Sequence, residues 1–254
     1  VHLRQKDSLP ALIARLDVET GRARDELAAG LRLLTGLDHG TSGARWTRWW
    51  EGEGADFELP SEADALAAAE ARQAHKEKSA TVASFYGLDV ASDRIAFVLD
   101  TSGSMNETQG SGTRMDAAKE QLRASLEKYP EGAWFNLVFF STDVTPWKES
   151  MVRMDDFMRT AAYDYVTRRG PGGATAIYDA LQQVFADRDV DTIFLLTDGE
   201  PQGGTVNDPL AIREAVQLWN LTRKVEIHCV SIGGSSTLLR WLANDSGGKY
   251  REER

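Results

Sequence analysis

The chain has 254 residues, of which 42% are apolar and 27% charged, a balance that excludes wholesale disorder and a coiled-coil rod. Its 29 Lys and Arg against 39 Asp and Glu leave a formal charge of −10, which disfavours nucleic acid and anionic membrane surfaces as partners. A single cysteine, Cys229, excludes an internal disulfide and a thiolate metal cluster, and no apolar run approaches the roughly 18 residues that cross a bilayer.

In chain order, Leu9, Leu12, Ile13 and Leu16 fall at the i, i+3, i+4, i+7 spacing of one helix face. Ala23, Leu27, Leu31 and Leu34 form a second stripe, and Gly36 just beyond it is a helix stop. Trp46, Trp49 and Trp50 repeat the pattern on a short third helix, a spacing that favours core packing over a stacking platform for sugar or peptide. Neither of the first two helices can bury its stripe alone, so residues 1–60 are expected to form a small helical unit. The stretch LPALIARL…LRLLTG resembles one HEAT-like repeat, which implies docking on a larger neighbour or the end of an upstream array, because such repeats bury surface against one another. Ser61 with Asp64 reads as a capping box opening an Ala- and charge-rich helix over about 62–78, whose one large apolar residue before Val82 is Leu66. Residues 61–91 are accordingly a connector helix and linker. The chain starts at Val1 with no basic stretch leading into an apolar core, so no signal peptide is legible and the compartment stays open.

From about residue 92 the period changes. The apolar runs IAFVL (95–99), WFNLVFF (134–140), TIFLL (192–196) and VEIHCVSI (225–232) alternate with helical stretches at 114–129, 156–168, 175–186, 209–222 and 237–245. Near-continuous apolar strands alternating with helices predict an α/β domain over 92–254, doubly wound, with a mostly parallel sheet covered on both faces.

In such a sheet ligands sit beyond the carboxyl ends of the strands, where the connections diverge. Asp100 and Asp198 both follow apolar strands, Asp100 opens the sequence Asp100-Thr101-Ser102-Gly103-Ser104, and the Gly-rich stretch 170–174 leads into Thr175. Two carboxylates and three hydroxyls, from Ser102, Ser104 and Thr175, make an all-oxygen set suited to a hard cation such as Mg²⁺. These residues resemble the metal-ion-dependent adhesion site of von Willebrand factor A-type domains, DxSxS followed by a distant Thr and a distant Asp. The resemblance covers about 92–254, including the late SIGG…LLRWLANDSGGKY stretch, and implies a Rossmann-like fold. It implies further that Ser102, Ser104 and Thr175 ligate the ion through hydroxyls while Asp100 and Asp198 act largely through water. One position is left open for an Asp or Glu of a partner protein. Mg²⁺ is the expected ion, with Ca²⁺ and Mn²⁺ as alternatives. Many family members carry a further helix after the last strand. No such helix follows Tyr250 before Arg254, so a ligand-driven shift by that route is not expected, and the 62–78 helix is a candidate cover for that face.

His2, His39, His75 and His228 are scattered with no HExxH spacing, and His228 and Cys229, side by side in a strand, read as structural. Tyr178 and Asp179 read as packing or network residues. GxSxG, GxxxxGK[ST] and a GxGxxG after a strand are absent, and a haloacid-dehalogenase-like site would need an Asp where Ser102 stands. The expectation is a binding module and no enzyme. The alternatives are a metal-independent scaffold using the N-terminal helices and, with no His or spare carboxylate placed to activate water, a less favoured metal-assisted hydrolase.

Overall fold

A computed structural model describes residues 4–79, 83–90 and 92–253, with the backbone alone over 72–79. His2 and Val82 lie outside the described residues, as does the side chain of His75. The chain divides into two units, Val1–Ala80 and Thr81–Arg254. In the first, the apolar stripes become α1 (Leu9–Val18), α2 (Gly21–Thr35) and α3 (Gly43–Glu53), followed by α4 (Glu62–Ser79). Leu9, Ile13 and Leu16 meet Leu31, Leu34, Trp46 and Trp49 in one core. Trp46 is fully buried, edge-on to Trp49 at 5.8 Å between ring centroids, and its indole N–H donates to the Gly40 carbonyl at 2.9 Å. The rings are thus spent on packing. Gly36 ends α2 as expected, and α4 starts after Ser61, whose hydroxyl accepts the Asp64 N–H at 3.1 Å. This last helix packs against α2 within its own unit.

The second unit opens with a hairpin that the sequence reading placed in a linker, β1 (Ala83–Phe85) and β2 (Leu88–Val90). There follow β3 (Arg94–Asp100), the short hairpin β4 (Thr108–Gln109) and β5 (Gly112–Thr113), α5 (Arg114–Lys128), β6 (Trp134–Phe140), β7 (Val144–Pro146) and β8 (Val152–Arg153). The chain continues through α6 (Asp156–Thr167), α7 (Ile177–Ala186), β9 (Thr192–Thr197), α8 (Pro209–Asn220), β10 (Glu226–Ile232), α9 (Thr237–Ser246) and β11 (Tyr250–Glu253). One seven-stranded sheet runs β11-β10-β9-β3-β6-β7, with β8 also on β6. The five strands from β11 to β6 are parallel, and β7 and β8 add an antiparallel edge that apolar patterning did not reveal.

Alternate residues of each central strand face opposite layers. Phe97, Leu99, Phe135, Leu137, Phe194 and Ile232 pack under α5, α6 and the first hairpin, whereas Ala96, Val98, Ile193, Leu195, Ile227 and Cys229 pack under α7, α8 and α9. Both faces are dry, which is why these strands read as unbroken apolar runs. Fully buried Phe85 of the hairpin sets its ring against Phe97 and Phe194, at 5.5 and 5.9 Å. The hairpin therefore covers the sheet beside α5.

From β3 the chain moves to β6 on one side and then crosses to β9, β10 and β11 on the other. The connections diverge between β3 and β9, where Asp100 ends β3 and Asp198 directly follows β9.

Candidate metal site

Asp100 is the last residue of β3 and is fully buried. Its Oδ1 accepts the Ser102 N–H at 2.6 Å, and its Oδ2 accepts the Thr197 hydroxyl from the end of β9. Burial pushes the Asp100 carboxyl up to about 6. The charge of Asp198 pushes the same way, and the hydrogen bonds from Thr197 and Ser102 oppose it.

The chain then turns so that the Ser102 and Ser104 hydroxyl oxygens lie 3.1 Å apart, and Ser104 donates to Asp198 Oδ1 at 2.7 Å. Residues 94 positions apart are thus in direct contact. The third segment is laid alongside by backbone bonds: Gly103 N–H donates to Gly173 carbonyl at 3.1 Å, and Gly172 N–H to Thr101 carbonyl at 2.7 Å. The approach needs glycine at 173, where φ is +87° and a Cβ would stand 2.7 Å from the Thr142 hydroxyl. Thr175 arrives at 4% exposure, and its carbonyl accepts the Gln202 N–H from the loop after β9 at 3.2 Å. The helix begins two residues later than the sequence predicts, at Ile177 with Ala176 as its N-cap, so the Thr175 hydroxyl is not consumed in capping. Asp179 accepts the Thr205 N–H at 2.8 Å and ties the loop after β9 to α7.

All five anticipated residues, Asp100, Ser102, Ser104, Thr175 and Asp198, therefore lie on three loops that touch one another at the switch point. Ligands at right angles around an ion about 2.1 Å away stand about 3 Å from each other, and the 3.1 Å between the Ser102 and Ser104 hydroxyl oxygens is close to that. The donor set fits a small hard cation. Among the described residues no cluster of three or more His, Cys, Asp or Glu side chains could hold a metal.

One participant was not anticipated. Arg114, the first residue of α5, donates from Nη1 to Asp198 Oδ2 at 2.8 Å and from Nη2 to Glu107 at 2.9 Å. A basic residue at the start of a helix carries no sequence signal for such a role. A cleft of about 430 Å³ between α8 and α9 lies at the opposite end of the sheet, beside Glu226 at the start of β10. His228 accepts the Lys249 N–H at 3.0 Å and Cys229 is wholly buried, both away from the site. No helix among the described residues is long and apolar enough to cross a membrane.

A family model described as von Willebrand factor type A domain matches residues 93–252. Over 173 residues the chain is 31% identical to von Willebrand factor A domain-containing protein 3A of Homo sapiens, covering 63% of this chain and 13% of that protein. Over 181 residues it is 28% identical to inter alpha-trypsin inhibitor, heavy chain 4 of Mus musculus, covering 65% of this chain and 18% of that one. The chain thus spans less than a fifth of the length of these curated relatives. A solved von Willebrand factor type A structure from Catenulispora acidiphila superposes with a TM-score of 0.57 at 26% identity, over 65% of this chain and 40% of that chain.

Proposed function

Since the chain belongs to the von Willebrand factor type A domain family, we propose that its second unit is a metal-dependent protein-binding module that captures an acidic side chain of a partner through a divalent cation. Domains of this family typically mediate contacts between proteins. The finer reading rests on one arrangement, the direct contact of the Asp100–Ser104 loop with Asp198 and with the loop that carries Thr175.

Ser102, Ser104 and Thr175 would hold the ion through neutral hydroxyls, with Mg²⁺ favoured by the donor set and Ca²⁺ or Mn²⁺ as alternatives. Asp100 and Asp198 orient those donors, Asp100 through the Ser102 N–H and Asp198 through the Ser104 hydroxyl. When bound, the cation supplies under-neutralised positive charge at a position open to a carboxylate. The exposed Gly170–Gly173 loop, Asn106 and Glu200 form the rim that a partner would meet. Nothing in this scheme requires a bond to be broken, so binding, and not turnover, is the proposed activity.

Mn²⁺ titrated into the full chain by calorimetry tests the reading. One site is expected, and Asp100→Ala or Ser102→Ala should remove its heat while far-UV circular dichroism stays native. A folded wild-type chain that takes up no ion, or ion binding indifferent to both substitutions, overturns it.

A further inference from the structure

Arg114 does more than close a surface ion pair. Its side chain is 16% exposed, and the Asp198 side chain that it grips has no exposed surface. Its backbone N–H donates to the Glu107 carbonyl at 3.0 Å, which fixes where the side chain starts. Its guanidinium lies against Gly233 at the end of β10, where a Cβ would stand 2.3 Å from Nη2 and 2.7 Å from Cζ. Four segments converge on this group: the loop with Glu107, the start of α5, the end of β9 and the end of β10.

The consequence for Asp198 is a division of labour between its oxygens. Oδ2 is taken by Arg114, and Oδ1 faces Ser104 and the site. With Asp100 and Asp198 both ionised the side chains around the site carry two negative charges, enough to neutralise a divalent cation. The guanidinium cancels one of them. Glu107, on the outer arm, is 61% exposed and its charge is largely screened by water.

We propose that Arg114 is a positioning residue that sets what the site selects: by binding the outer oxygen of Asp198 it leaves a bound cation with unspent positive charge, sharpening its preference for a carboxylate ligand while weakening its own retention. This deepens the metal-site reading and rests on it. A like charge about 6 Å from a divalent ion, even with the screening of bulk water, changes ion affinity by about tenfold.

The experiment compares wild type, Arg114→Gln and Arg114→Lys as full chains. Mn²⁺ affinity is read by calorimetry. Acetate, as a minimal carboxylate probe, is then titrated onto the Mn²⁺-loaded protein and followed by water-proton relaxation. Arg114→Gln should hold Mn²⁺ about tenfold more tightly and acetate about tenfold more weakly, whereas Arg114→Lys should stay within about threefold of wild type in both. These opposed shifts, rescued by lysine, are something that loosened packing alone would not produce. Glu107→Gln, at an exposed position that a native fold tolerates, serves if Arg114→Gln does not fold. It strips the guanidinium of its other counter-charge and should loosen Mn²⁺ by about twofold. Arg114→Gln that binds Mn²⁺ no tighter, or acetate no weaker, overturns the proposal, as does Glu107→Gln that tightens Mn²⁺. Wild type that binds no Mn²⁺ at all overturns instead the metal site on which the proposal stands.

Discussion

Phe85→Ala tests whether the first hairpin is an integral layer of the second unit. Phe85 has no exposed surface, and its ring lies 5.1, 5.5 and 5.9 Å from those of Tyr86, Phe97 and Phe194. Truncating a buried phenylalanine costs about 3–5 kcal/mol, and the loss of edge-to-face ring pairs places this position in the upper half of that range. In a unit of this size each kcal/mol moves the melting temperature by about 2–4 °C, so a fall of about 10 °C or more is expected. Differential scanning calorimetry of the full chain in chelator reads it. Leu181→Ala, a fully buried α7 residue under the other face of the same sheet, marks which transition belongs to this unit. A shift below about 2 °C would mean that the strands Ala83–Phe85 and Leu88–Val90 fray without cost. The claim that they cover the sheet would then be wrong.

Two further outcomes follow from the same geometry. Thr175 is 4% exposed, so Thr175→Ala, which also removes a buried methyl, should lower the melting temperature in chelator by only about 2–4 °C. It should abolish the rise that Mn²⁺ gives the wild type, which at 100 times the dissociation constant amounts to about 2.7 kcal/mol; an intact Mn²⁺-linked rise would remove Thr175 from the site. His228 is held below the ordinary imidazole range by burial, with Lys249 acting in the same direction and Glu226 against it. The folded chain therefore binds fewer protons than the unfolded one as pH drops past about 6.5, and stability present above that pH is lost below it. Asp100, raised to about 6, contributes with the opposite sign in the same window, so the readout is a difference. His228→Asn, which keeps an acceptor for the Lys249 N–H, should gain in melting temperature relative to wild type as pH falls from 7.5 to 5, and a constant difference refutes the assignment.

The sheet's interior could be read from composition along the chain, because IAFVL and TIFLL are buried on both faces and each residue reports its own environment. The candidate site was legible as residue types: Asp100, Ser102, Ser104, Thr175 and Asp198 have oxygen donors, and the ends of apolar strands tell where a doubly wound sheet places them. Elements of two or three residues escaped, such as β8 and the strands of the first hairpin, since a pattern of period two needs more length than that to show. Such strands exist because Phe85 and its neighbours find an apolar sheet to lie on.

Arg114 marks the same boundary at the site. In the sequence it is one of 29 basic residues, at the start of a helix. Only the folded chain sets its guanidinium between Asp198, 84 positions away, and the bare backbone of Gly233. Residue types and their periodicity determine which groups are buried and which atoms can donate or accept. Which charges end up as neighbours is decided by how the strands are ordered across the sheet, because electrostatic coupling depends on distance through space and not on separation along the chain.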